Sequence, residues 1–275
     1  MFTERNDLMY GERNNPSEML AKTVSFPSLC QLLNLRESPC IIAGPCAVES
    51  FEQVDKIAKV LLKHNVFVMR AGAYKPRTSP YMFQGIGIDG LVILDYVRRN
   101  YGIKVISEIM DPRDVENGLR YTDMIQIGTR NMQNIPLLRE VGKTSHPIVL
   151  KRGFMSTLEE LYFAAEYIAN QGNLNIVLCE RGIRSFDSNT RNLLDIASIA
   201  IIKLETTFSV IVDVSHSTGR RDIVAPISKA AIAAGADAIM VEVHNDPINA
   251  LSDSQQQLDF IQFEELMTEL SKEYL

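Results

Sequence analysis

Cys46, Arg70, Glu108, Arg130, Lys151, Arg181, His216 and Glu242 each stand at or just past the carboxyl end of a short apolar run. The runs are CIIAG, VFVMRA, KVISE, MIQIG, PIVLK, NIVLCER, VIVDVSH and AIMVEV. Thiol, imidazole and carboxylate are donors for a transition-metal ion. Guanidinium groups offer a planar fork to phosphate or carboxylate, and ammonium groups a point charge. Such a set does chemistry only if the fold gathers it.

The elements that carry these residues suggest how. From Pro39 onward the apolar runs alternate with helical patterns. In SFEQVDKIAKVLLKH, Val54, Ile57, Ala58, Leu61 and Leu62 share one helical face, with Ser50 as N-cap and Gln53 three residues on. In TLEELYFAAEYIANQG, Leu158, Leu161, Tyr162, Ala165 and Ile168 do the same, with Gly172 as the stop. Further helices are expected near 90–100, 136–141, 222–234 and 258–274, and one starting near Thr190. The strand runs are apolar at nearly every position, as suits parallel strands covered on both faces. Eight such units favour an α/β fold of one closed (β/α)₈ TIM barrel. A doubly wound sheet would carry a Gly-rich phosphate turn after its first strand, and here that turn is GPCAVES. Residues 37–275 are read as the barrel, close to the ~250 residues typical of the fold. Residues 1–36 are read as an N-terminal extension, either a flexible head or a short hairpin closing the barrel's bottom.

A barrel gathers the carboxyl ends of its strands around one mouth. Strands 7, 8 and 1 are then neighbours, so His216, Glu242 and Cys46 converge there, joined by Asp253 from the loop after strand 8. This mixed donor set suits one divalent ion, with Mn, Fe, Co, Zn or Cu all compatible. Alone, Cys46 would read as a small buried hydrophobe and His216 as a structural hydrogen-bonder. His64 and His146 lack such company and are read as structural; His244 is left open. The remaining strands bring bases: Arg70, Lys75, Arg77, Arg130, Lys151, Arg181 and Arg184. Thr78 and Ser79 add hydroxyl donors, and Pro76 and Pro80 stiffen their loop. Arg98, Arg99, Arg113 and Arg120 lie on helices and read as solvated surface. One metal beside room for more than one anion suggests two phosphorylated substrates joined at a polarised carbonyl.

Bulk composition agrees. The chain has 275 residues, 46% hydrophobic and 23% charged, with a net charge of −6. No global basic field invites nucleic acid. No apolar run is long enough to span a membrane, and the charged amino terminus has no signal-peptide core. A cytoplasmic location is expected. Four cysteines in a chain this long do not suggest a disulfide framework.

The motifs GPCAVES, RAGAYKPRTSPYMFQG, QIGTRNMQN, LKRG, ERGIR, DVSHSTG and VEVHNDP followed by ALSD occur in order. From about Pro39 to the end the sequence resembles the 3-deoxy-D-arabino-heptulosonate 7-phosphate (DAHP) synthases of the type Iβ subgroup. The resemblance implies a (β/α)₈ barrel that condenses phosphoenolpyruvate with D-erythrose 4-phosphate and water, the first step of the shikimate pathway to chorismate and the aromatic amino acids. It implies metal ligation by Cys46, His216, Glu242 and Asp253. It assigns phosphoenolpyruvate to Arg70, Lys75, Arg130, Lys151 and Arg181. It assigns erythrose 4-phosphate to Pro76, Arg77, Thr78 and Ser79, with Asp253 near the aldehyde. Lys151 and Glu108 are the candidates for moving protons around the water, and Glu108 could equally orient Lys151 or Arg130. A homodimer or homotetramer is implied by the same resemblance.

Ala47, Thr129 and Asn245 depart from the family pattern without removing a charged or ligating group. Many relatives carry a ferredoxin-like regulatory domain or a fused chorismate mutase. Residues 1–36 are too few for either, so inhibition by aromatic amino acids through a domain of the chain's own is not expected. The nearest rival is 3-deoxy-D-manno-octulosonate 8-phosphate (KDO8P) synthase, which takes arabinose 5-phosphate. That family typically has a KANRSS-like loop where KPRTS stands, and its metal-free members have Asn in place of Cys46. A non-catalytic anion-binding barrel would be expected to lose a metal ligand or a substrate arginine, and none is lost.

Overall fold

The computed structural model describes residues 20–35 and 39–274. Eight parallel strands close into a barrel in sequence order. They are β1 (Cys40–Gly44), β2 (Val68–Arg70), β3 (Lys104–Glu108), β4 (Met124–Ile127), β5 (Ile148–Lys151), β6 (Ile176–Glu180), β7 (Val210–Asp213) and β8 (Ala238–Glu242). β8 pairs with β1 from Cys40 opposite Ala238 to Gly44 opposite Glu242, which closes the ring.

The α-helices among the described residues, in order, are α1 (Leu20–Thr23), α2 (Leu29–Leu33), α3 (Phe51–Lys63), α4 (Ile88–Tyr101), α5 (Val115–Tyr121) and α6 (Ile135–Gly142). They continue with α7 (Leu158–Ala169), α8 (Ile196–Glu205), α9 (Val214–Thr218), α10 (Val224–Ala233) and α11 (Phe260–Ser271). The Ser50 side chain accepts from the Gln53 N–H at the start of α3, and Val54, Ile57, Ala58 and Leu61 are buried, as the periodicity predicts. Thr157 and Glu160 form a reciprocal capping box at α7.

Side chains alternate across each strand, so the strands sort their residues into two cores. Ile41, Met69, Val105, Ile125, Ile148 and Ile176 face the helices and pack with residues such as Ile57, Leu61 and Leu94. Ile42, Val68, Ile106, Met124, Val149, Val177 and Ile211 form a separate cluster inside the barrel. Two residues further along these inward series stand Gly44, Arg70, Glu108, Gln126, Lys151, Cys179 and Asp213. The same periodicity that fills the barrel floor with aliphatic groups therefore delivers charged groups to its top.

Among the described residues, the floor is covered by a helix. Leu29 and Leu33 of α2 belong to the interior cluster. The Leu29 N–H donates to Ser209 Oγ at 2.9 Å, and Phe26 stacks on Phe208 with ring centroids 3.8 Å apart. Ser28 and Gln31 form a capping box, which turns the SLCQLL segment helical despite its shortness. Of the extension read as residues 1–36, positions 1–19 and 36 lie outside the described residues.

A second difference lies after β6. The helix expected near Thr190 begins instead at Ile196, capped by the Asp195 side chain. Arg191 and Asn192 donate main-chain hydrogen bonds to Thr218 and Ser217, and Leu193 bridges Ile183. Those contacts hold 191–193 extended, so helix geometry is excluded until the apolar run starts.

Candidate active site

One side of the mouth is a donor cluster. Ligand atoms of Cys46, His216, Glu242 and Asp253 all lie within 4.8 Å of one another. His216 Nε2 is 3.4 Å from Glu242 Oε1 and 3.5 Å from Asp253 Oδ2, and Cys46 Sγ is 3.4 Å from Asp253 Oδ2. Cys46 and Glu242 are fully enclosed; His216 and Asp253 reach the cavity. Asp253 has a left-handed backbone (φ 47°), an uncommon conformation for a residue without the freedom of glycine, and Arg191 meets its Oδ2 at 3.2 Å.

Asp213 organises the imidazole. β7 ends at this residue, and its carboxylate caps α9 by accepting from the His216 N–H at 2.9 Å. Its other oxygen accepts from His216 Nδ1 at 2.8 Å, which leaves Nε2 facing the cluster. Burial disfavours the charged imidazole, but the Asp213 and Glu242 carboxylates outweigh it and raise His216 to about 9. Burial also opposes ionisation of Asp253, yet His216, Arg191 and Lys75 hold its carboxyl well below the usual range. The cluster thus demands positive charge at its centre. A soft thiolate, an imidazole and two carboxylates within one ion's reach fit a divalent transition metal.

The opposite side is cationic. A cavity of about 220 Å³ is lined by Arg70, Lys75, Arg130, Lys151, Arg181 and Arg191, with Pro76, Arg77 and Thr78 at one end. Arg70 is fastened from two directions: Nη1 meets Glu242 Oε1 at 3.1 Å, and Nε donates to Gln126 Oε1 at 3.0 Å. Lys75 Nζ donates to the Cys46 carbonyl at 2.9 Å and lies 3.0 Å from its sulfur. Lys151 Nζ is paired with Asp213 Oδ2. Glu108 accepts from Gln126 Nε2 at 3.1 Å and lies 4.0 Å from Arg70, so its partners are these two and not Lys151 or Arg130. Its Oε1 is buried without a hydrogen-bond partner. Gly128 permits this, because a Cβ there would overlap that oxygen.

Ser79 lies outside the cavity lining, and its hydroxyl accepts from the Tyr81 N–H at 3.4 Å. Arg184 is exposed and also outside the lining. His244 is buried apart from the four donors, with Nδ1 accepting from the Asp246 N–H and Nε2 3.5 Å from Glu49. His64 sits edge-on to Phe263, and His146 contacts Thr122. Sequence reasoning missed Asp213, Gln126, Arg191 and Phe154, of which the last three line the cavity. Gln126 was marked by being the one polar residue within MIQI, and Asp213 by standing three residues before His216. Arg191 and Phe154 carry no comparable signal.

The profile of the DAHP synthetase I family matches residues 31–275. A phospho-2-dehydro-3-deoxyheptonate aldolase of Thermotoga maritima is 53% identical over 232 residues, covering 84% of this chain and 69% of that protein. A 2-dehydro-3-deoxyphosphooctonate aldolase of Syntrophotalea carbinolica is 33% identical over 248 residues, covering 84% and 88%. Among solved structures, the T. maritima DAHP synthase superposes with a TM-score of 0.82 at 52% identity, covering 85% of this chain and 68% of that one. A truncated form of a T. maritima DAHP synthase gives 0.79 at 48% identity, with 85% of both chains covered. On the profile match and this level of identity, the chain belongs to the DAHP synthetase I family.

Proposed function

We propose that this chain condenses phosphoenolpyruvate with D-erythrose 4-phosphate and water, giving 3-deoxy-D-arabino-heptulosonate 7-phosphate and inorganic phosphate. The observation that carries the reading is the meeting, in one barrel mouth, of a four-donor cluster and a wall of cations. Cys46, His216, Glu242 and Asp253 would hold one divalent ion. Such an ion supplies Lewis acidity toward an aldehyde oxygen.

The chain's own groups do the rest. Arg70, Lys75, Arg130, Lys151 and Arg181 bind the phosphate and carboxylate of phosphoenolpyruvate, and charge-assisted donors keep that geometry through the reaction. Pro76, Arg77 and Thr78, which line the cavity, receive the phosphate of erythrose 4-phosphate, with Asp253 at its aldehyde end. A carbon–carbon bond forms between C3 of the enol and C1 of the aldose, and water adds at C2. The C2–O bond to phosphate then breaks, leaving a ketone. The Lys151 ammonium, fixed by Asp213, is placed to give a proton. Glu108, whose side chain lines the same cavity, would take one from the water.

We further place the protein in the cytoplasm as a homodimer or homotetramer of the shikimate pathway. No helix among the described residues is long and apolar enough to cross a membrane. The test is phosphate release from phosphoenolpyruvate with erythrose 4-phosphate or arabinose 5-phosphate, with and without chelator. Turnover with erythrose 4-phosphate, lost on chelation and restored by a divalent ion, is expected. Preference for arabinose 5-phosphate would assign the KDO8P activity instead. No turnover with either would leave an anion-binding barrel.

A further inference from the structure

Three guanidinium groups surround one aromatic ring at the edge of the cavity. The ring is Phe154, three residues past β5, and it lines the cavity. The guanidinium carbons of Arg181, Arg184 and Arg130 lie 4.7, 5.1 and 5.3 Å from its centroid. The arginines come from the loops after β4 and β6, so Phe154 stands between two segments that share no strand.

None of the three makes an ion pair with a carboxylate among the described residues; the salt bridges there engage other arginines. Arg181 donates from Nη1 only to the Gly182 carbonyl, at 3.2 Å, and its buried Nε has no partner. Three like charges converging without counter-charges is unfavourable unless something offsets the repulsion. The negatively polarised faces of an aromatic ring do so in part. The main chain adds its own fastening. The Arg184 N–H donates to the Phe154 carbonyl at 2.7 Å, and the Gly153 N–H approaches Met132 Sδ at 3.0 Å. The β5 loop thereby ties the Arg130-bearing loop to the Arg181-bearing loop.

We infer that Phe154 is a positioning residue that gathers Arg130, Arg181 and Arg184 into one anion-receiving fan, and that Arg184 is an outer member of the phosphate site. The ligand class is a phosphate dianion. This rests on the proposed function only for naming phosphoenolpyruvate as its physiological source.

The test is calorimetric binding of inorganic phosphate to the full chain and its variants at two ionic strengths, alongside steady-state kinetics. Phe154→Leu is expected to weaken phosphate binding about tenfold, while Phe154→Tyr, which keeps the ring, stays within about twofold. Arg184→Gln, at an exposed position, is expected to weaken binding about threefold and to flatten its salt dependence. In turnover, Phe154→Leu should raise KM for phosphoenolpyruvate with little change in kcat, the signature of lost ground-state binding. Undetectable phosphate binding by the parent chain, or unchanged affinity in a folded Phe154→Leu, overturns the proposal. Should Phe154→Leu fail to fold, wild-type affinity and salt dependence in Arg184→Gln would overturn it. Phosphate binding with the expected variant pattern, but no condensation, would leave the fan standing and reject the DAHP synthase reading.

Discussion

Cys46 and Cys179 are both buried thiols on or beside barrel strands, and they differ in company. Cys179 lies among aliphatic side chains of the barrel interior, and burial pushes its thiol up to about 12. Cys46 faces Lys75, Ser252 and Asp253. Cys46→Ala is therefore expected to lose bound metal and at least about 100-fold in turnover, while melting close to the parent, since it deletes a ligand and little packing. Metal content by mass spectrometry beside a thermal melt checks it; unfolding would return Cys46 to a packing role. Asp213→Asn keeps the size of the side chain but can present an amide N–H to Nδ1 and weakens the pairing with Lys151. It is expected to lower metal affinity about 10- to 100-fold, read by chelator competition. These two residues show what was legible at this scale. Cys46, His216 and Glu242 were visible because each stands at or just past the end of a strand run, strand order made neighbours of them, and Asp253 joined them from the loop after β8. Asp213 went unread because its role is to hold another side chain, which spacing alone does not reveal.

At the scale of elements, alternation along β5 separates adjacent residues into different jobs. Lys151 points to the mouth, while Arg152 points outward and is buried against Glu180 at 2.8 Å and Asp195 at 3.0 Å. Glu180 also accepts from the Gly182 N–H at 2.6 Å, so the network fixes the start of the loop that bears Arg181. Arg152→Met would strand the Glu180 charge in a buried position, and breaking a buried pair this way costs about 3 kcal/mol or more. A lower urea midpoint at unchanged m would show it. A wild-type midpoint would mean that Glu180 is satisfied without the arginine. The strands were readable because doubly covered parallel strands are apolar throughout. The start of α8 was not, because a long-range bridge from Leu193 to Ile183 decides it, and no local propensity encodes that contact.

At the scale of the molecule, the barrel is asymmetric: an aliphatic floor sealed by α2 and a charged mouth. Leu33 is 2% exposed inside that floor, so Leu33→Ala is expected to destabilise the chain by about 2–5 kcal/mol without changing KM for either substrate. Stability should also depend on pH through a residue far from the mouth. His146 follows α6, and Thr122 Oγ1 lies 3.2 Å from its Nε2. The threonine gives its proton to the Gly118 carbonyl, so the neutral ring must be the donor at Nε2. Burial, only partly offset by Asp123, lowers His146 to about 4. An unfolded histidine titrates near 6.5. Protons therefore bind the unfolded chain more readily, and folding stability declines as pH falls from above about 6.5 to about 4, levelling off below. The full contribution is about 3 kcal/mol at most, from the distance between those two values. Urea midpoints for the parent and His146→Gln between pH 7 and pH 4.5 isolate it. The variant should lose less stability than the parent across that interval. Parallel curves would mean that the native state accommodates the charged ring.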